Sequence, residues 1–182
     1  MNFEPTAIPD VVLIRPRVFA DSRGFFLETW EERKFARAGL DLNFVQDNHS
    51  RSKQYTLRGL HYQIKQPQGK LVRCIHGSVF DVVVDLRRSS PTFGRSVGIT
   101  LTGDDHCELW VPPGFAHGFV VLSEQVDFLY KVTDFYAPEH ERCVAWNDPD
   151  LNIEWPLPEG VEPFVSPKDA AGVAFRNAET FP

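Results

Sequence analysis

No stretch of this 182-residue chain approaches the roughly 18 consecutive apolar residues of a membrane-crossing helix. Pro5, Asp10, Arg15 and Pro16 interrupt the N-terminal segment, so no signal peptide is expected there. Cysteine is scarce. Cys74, Cys107 and Cys143 form an odd set without C-x-x-C spacing, which argues against a disulfide framework and a zinc ribbon and makes a reducing cytoplasm the expected compartment. Positive charge is not in excess: 19 Lys and Arg stand against 25 Asp and Glu, a net charge of −6. A nucleic-acid surface needs clustered positive charge and is not expected, although enough basic residues exist for a local anion site. Low-complexity tracts, internal repeats, a nucleophile elbow, a phosphate-binding loop and a dinucleotide fingerprint are all missing.

What is present is β-rich. Aromatics make up 13% of the chain, with 15 Phe, and 14 Pro punctuate it. A chain of this length folds with roughly 70% of its surface buried, enough for one core without staples. Period-two alternation puts Phe80, Val82, Val84 and Leu86 on one strand face and Asp81, Val83 and Asp85 on the other. Comparable short runs occur at 43–50, 55–64, 70–76, 95–101, 107–111, 117–122 and 125–132, separated by turn residues such as Gln66-Pro67-Gln68-Gly69 and Pro112-Pro113-Gly114. Earlier, Val11 to Val18 opens with an apolar run, and Ser22-Arg23-Gly24 reads as a turn before Phe25. One surface helix is expected from about Trp30 to Ala38, with Thr29 and Glu32 at capping-box spacing and Gly39 as the C′ glycine. The tail from about 147 has little periodicity and is expected to wrap the barrel, with a short helix starting at Asp169-Ala170-Ala171. The fold class is therefore all-β, a sandwich or jelly-roll barrel with one or few short helices.

Functional signals lie where strand positions are polar without an evident structural reason. Gln46, Asn48 and Ser50 share one face of their segment, which is either a cavity wall or a solvated outer surface. His61 and Gln63 share a face, while Arg58 has the opposite parity; a bulge at Gly59 would bring Arg58 and His61 to one cavity. Lys70 starts a strand, and Tyr130 and Tyr136 bracket another polar run. Each of these has a bland alternative in packing or exposure. More specific is Pro113-Gly114-Phe115-Ala116-His117, within a P-x-G-x-x-H pattern that resembles the second half-motif of cupin barrels. The place of the first half-motif reads His61-Tyr62-Gln63, with no second histidine. His61 and His117 with Gln63 make a poor ligand set, so a cupin-like double-stranded β-helix without a metal is expected. Histidine, lysine and tyrosine in such a cavity suit proton abstraction beside a carbonyl: a base, a charge for the enolate, and an acid.

These same residues carry a family resemblance. DSRGFFLETW, FVQDNHSRS, LRGLHYQ, QGKLVR, VFDVVVDLR, SPTFG, VPPGFAHGF, YKVTDFY, NDPDLNIEWP and SPKD, in order over nearly the whole chain, resemble the dTDP-4-dehydrorhamnose 3,5-epimerase family. The resemblance implies a cytoplasmic, cofactor-independent cupin homodimer acting on dTDP-4-keto-6-deoxy-D-glucose. It implies His61 as general base, Asp169 as its orienting partner, Lys70 as the group at the enolate oxygen and Tyr130 as the acid on the opposite face. It also implies substrate contacts from Arg23, Phe26, Glu28, Gln46, Asn48, Arg58, His117 and Tyr136, with Arg23 supplied by the partner's N-terminal arm and Tyr136 stacked on thymine. His49 and His76 receive no role. On this reading residues 1–182 form one domain: 1–50 contribute to the dimer, 51–146 are the jelly-roll core, and 147–182 wrap it. The rival expectations are a single 3- or 5-epimerase of a related sugar, a metal-dependent cupin dioxygenase, and a non-catalytic sugar-binding module.

Overall fold

The computed structural model describes residues 1–182. The strands are β1 (Asn2–Pro5), β2 (Val12–Arg15), β3 (Val18–Asp21), β4 (Gly24–Leu27), β5 (Gln46–Lys53), β6 (Leu57–Gln63), β7 (Lys70–His76), β8 (Ser78–Asp85), β9 (Ser96–Thr102), β10 (Glu108–Val111), β11 (Phe115–Val121), β12 (Gln125–Val132) and β13 (Glu141–Cys143). Two short helices accompany them, α1 (Glu32–Arg37) and α2 (Pro167–Ala170). A six-stranded sheet in the order β1-β2-β10-β7-β12-β5 faces a five-stranded sheet in the order β13-β6-β11-β8-β9, and β3 and β4 form a separate hairpin. This is a cupin-type jelly roll. No helix is long and apolar enough to cross a membrane.

The apolar interior is supplied by both sheets. Val72 and Cys74 of β7 and Val126 and Phe128 of β12 meet Val79 and Val83 of β8 and Phe115, Phe119 and Val121 of β11 in one buried cluster. On β8 both faces are buried, because Val82, Val84 and Leu86 pack outward against Val144, Leu151 and Ala178 of the C-terminal region. Trp155 and Phe181 add edge-to-face contacts to Phe80 and Tyr62. The tail thus covers a sheet face that would otherwise be an exposed apolar patch.

Three details differ from the sequence expectations. The Thr29–Glu32 capping box is not formed; Glu31 caps α1 instead, its carboxylate accepting from the Lys34 amide at 2.9 Å. Tertiary contact decides the start, because Trp30 is drawn out of the helix onto Phe35 and Phe44, at centroid distances of 4.3 and 4.7 Å. Nor is α1 merely a surface helix. Phe35 is fully buried among Ile14, Leu71 and Trp110, which contributes about 2–3 kcal/mol. Gly39 does sit in the left-handed region just past the helix, at φ +84°. The terminal helix begins two residues before Asp169, at Pro167, because Ser166 caps it.

Asp85 ties the end of β8 to the loop that follows. Its buried carboxylate accepts from the Arg87 amide and guanidinium (2.9, 2.9 and 2.8 Å), Ser90 Oγ (2.6 Å) and Thr92 Oγ1 (2.7 Å). Burial alone would raise its pKa, but the donors outweigh it and hold the carboxyl at about 2. A depressed carboxylate pKa stabilises the fold above the ordinary Asp value of 3.8, and that stability is lost as pH falls through about 2. Asp85→Ala is expected to destabilise by about 3 kcal/mol at pH 7, since it removes the buried acceptor of two hydroxyls and leaves Arg87 with Asp10 alone. Urea unfolding from pH 7 to pH 2 checks this: the difference between wild type and variant shrinks towards the acid end.

Candidate active site

Strand parity places polar groups inside the sandwich. Asp81 lies between Val79 and Val83, His117 between Phe115 and Phe119, Lys70 two residues before Val72, and Tyr130 two after Phe128, all on inward faces. Lys70, His117 and Tyr130 line a cavity of about 250 Å³, whose walls also include Ser50, Arg58, His61, Tyr136 and Glu141; Asp81 stands behind His117. Arg58 and His61 both reach it because of the expected bulge. On β11, His117 and Phe119 are two residues apart; their partners on β6, His61 and Arg58, are three apart. Gly59 makes this possible. At φ +123° it lies so close to β11 that a Cβ would sit 2.5 Å from the Gly118 Cα.

His61 is held from behind. Its Nε2 lies 2.5 Å from Asp169 Oδ1, and Asp169 Oδ2 accepts from Ser166 Oγ at 2.7 Å. Asp169 is buried, which would raise its pKa; the hydrogen bonds from His61 and Ser166 reverse this and leave the carboxyl at about 2, hence ionised. Facing His61 from the other sheet are Lys70 and Tyr130. Lys70 is buried and donates to the His61 carbonyl at 3.3 Å. Burial lowers its ammonium pKa to about 8, although Glu141 and Asp81 pull it up. Burial raises the Tyr130 phenol, which stays protonated at neutral pH. A second buried pair joins His117 Nε2 to both oxygens of Asp81 at 2.9 Å.

The mouth is formed by Tyr136, more than half exposed, whose hydroxyl donates to Glu141 Oε2 at 2.6 Å; Lys168 also pairs with Glu141. Gln63 fixes this segment: its amide nitrogen donates to the carbonyls of Gln66 and Phe135, and its oxygen accepts from Ala137 N at 2.9 Å. Gln63 is thus committed to backbone, and His61 and His117 are each engaged by a carboxylate. Gln46 accepts from the Tyr136 amide at 3.4 Å and donates to Asn48 at 2.9 Å; neither lines the cavity, and Asn48 borders a neighbouring hollow with Tyr130 and Glu108.

Three of the candidates lie elsewhere in this chain. Arg23 and Phe26 line a surface hollow of the β3–β4 hairpin with Phe19 and Phe25, and Glu28 pairs with Lys34 at 2.5 Å. His49 meets Asp127 at 3.0 Å on the outer surface, and His76 is exposed at the end of β7. Sequence reasoning missed Asp81 and Glu141 as parts of the site. Asp81 had a usable signal, an aspartate on the inward face of an apolar strand; Glu141 had none, since it lies outside any periodic run.

Fold and cavity together define a cupin-type isomerase, built to move protons on and off a carbonyl compound. Residues 5–177 match the model of the family described as dTDP-4-dehydrorhamnose 3,5-epimerase. The dTDP-4-dehydrorhamnose 3,5-epimerase of Pseudomonas aeruginosa is 61% identical over 177 residues, 97% of each chain. That of Shigella flexneri is 50% identical, covering 100% of this chain and 99% of its own. The crystal structure of dTDP-6-deoxy-D-glucose-3,5-epimerase from Legionella pneumophila in complex with dTDP-4-keto-L-rhamnose superposes with a TM-score of 0.93 at 48% identity, over 98% of this chain and 94% of that one. The chain belongs to the dTDP-4-dehydrorhamnose 3,5-epimerase family and is an epimerase.

Proposed function

We propose that the chain inverts C3 and C5 of dTDP-4-keto-6-deoxy-D-glucose to give dTDP-4-keto-L-rhamnose, a step towards dTDP-L-rhamnose. One observation carries the reading: a carboxylate-held histidine and a half-buried tyrosine stand on opposite sheets, with a buried ammonium beside them. His61 takes the proton beside the C4 ketone. With Nε2 committed to Asp169, Nδ1 is the nitrogen left to receive it. The ionised Asp169 fixes the tautomer and steadies the imidazolium. The electron pair of the broken C–H bond moves to the C4 oxygen, where Lys70 meets the enolate. Tyr130 then delivers its proton to the opposite face, so the carbon inverts. Both C3 and C5 are acidified by the same carbonyl, and no electrons are lost or gained.

Arg58 on one wall suits the diphosphate, as guanidinium groups match its geometry. Tyr136 at the mouth is placed to stack on thymine, with Gln46 and Asn48 behind it and His117 at the sugar. Arg23, Phe26 and Glu28 are taken to act in a second copy of the chain. The exposed hairpin that carries Phe19, Phe25 and Phe26, at 50, 61 and 70% exposure, supports a homodimer in which this arm reaches the partner's cavity. Three free thiols support a reducing, cytoplasmic setting.

Tyr130→Phe tests the two-faced mechanism. His61 can still remove a proton and return it to the same face, so solvent exchange continues while inversion slows about 100-fold. Inversion of both carbons at wild-type rates would remove Tyr130 from the role.

A further inference from the structure

The edge strand β13 brings a thiol to the proposed base. Cys143 is the register partner of His61 across β6, so their side chains share a face. An imidazole nitrogen of His61, Cys143 Sγ and a carboxylate oxygen of Asp169 all lie within 4.8 Å of one another. Cys74 and Cys107 are buried in the apolar core. Cys143, by contrast, is only partly buried, and its hydrogen bond, to the neighbouring Val144 carbonyl, is a long 3.5 Å. Its sulfur is therefore weakly engaged, one neighbour away from the cavity that His61 lines.

We infer that His61, Cys143 and Asp169 form an inhibitory site for a borderline-soft divalent cation, with zinc the fitting example. Nitrogen, sulfur and oxygen donors together suit zinc, whereas magnesium and calcium require shells of six or more oxygens. Zinc bonds of about 2.0–2.3 Å set tetrahedral ligand atoms roughly 3.3–3.8 Å apart. The ion would part His61 Nε2 and Asp169 Oδ1, now 2.5 Å apart, by about 1 Å, while Cys143 Sγ already lies within 4.8 Å of both. Thiolate and carboxylate together neutralise the ion's charge. Binding at Nε2 releases the thiol proton to solvent and moves the imidazole's one proton to Nδ1, so the nitrogen proposed to take the substrate proton is already filled, and the carboxylate behind it is occupied. The inhibition rests on His61 being the base; the metal site itself does not.

The test uses the full-length protein and Co²⁺ and Zn²⁺ as probes. Co²⁺ added to the wild type is expected to give a thiolate-to-metal charge-transfer band in the near ultraviolet that Cys143→Ser and Cys143→Ala both lack. Zn²⁺ is expected to inhibit epimerisation reversibly, with EDTA restoring the rate. With each protein normalised to its own metal-free rate, Cys143→Ser should require at least about 30-fold more Zn²⁺ for half inhibition. Co²⁺ binding without a thiolate band, or equal Zn²⁺ sensitivity of wild type and Cys143→Ser, would overturn the proposal. A thiolate band in a protein that turns over no keto-sugar would support the metal site while refuting the catalytic reading.

Discussion

His61→Ala is expected to lower turnover of dTDP-4-keto-6-deoxy-D-glucose by about 10²–10⁴-fold, the range that a positioned general base supplies. The loss falls on both carbons, because one base serves C3 and C5 in the proposed mechanism. Folding survives, since Asp169 keeps its bond from Ser166 Oγ at 2.7 Å and its contact with the Gly59 amide at 3.4 Å. Binding of dTDP should also persist, because the groups proposed to hold the nucleotide, Arg58 and Tyr136, are untouched. Circular dichroism, dTDP titration and solvent exchange on the variant separate the outcomes. Wild-type turnover would remove His61 from the chemistry.

Lys70→Met is expected to cost about 10²–10³-fold, the effect of removing one donor from a developing oxyanion. The wild-type pH profile carries the same information. Burial favours the neutral amine, so the ammonium with its pKa of about 8 is lost as pH rises through that value. On the free enzyme, kcat/KM should therefore fall tenfold per pH unit above about 8. Bound diphosphate stabilises the ammonium, which moves the corresponding limb of kcat to higher pH. The residual activity of Lys70→Met lacks this limb. Its thermal stability at pH 7 should not fall, because an ammonium whose pKa is depressed in the folded state opposes folding at neutral pH. A variant that keeps the limb near pH 8 would assign it to another group.

Much of this architecture is written in local pattern. The runs at 70–76 and 125–132 coincide with β7 and β12, because turn residues bound them and, in β12, Val126, Phe128, Tyr130 and Val132 recur at every second position. The Gly59 bulge was legible for a similar reason: two polar residues of opposite parity flank a glycine. Where tertiary contact overrides pattern, the reading slips. The strand expected from 43 begins at Gln46, because Leu42 and Phe44 turn to the aromatic cluster around Phe35. The tail has no period because it packs residue by residue, Trp155 on Phe80 and Phe181 on Tyr62. Lys70 reads as an ordinary strand-start lysine; only the closing of two sheets around it buries the charge. Cys143 gives no sign in sequence of its place opposite His61, because that neighbour is set by a long-range register.

The most direct test is incubation with dTDP-4-keto-6-deoxy-D-glucose in D₂O, with C3 and C5 followed by NMR. The proposed mechanism predicts deuterium and inversion at both carbons. Inversion at one carbon alone, or bound sugar with no exchange at either, would contradict it.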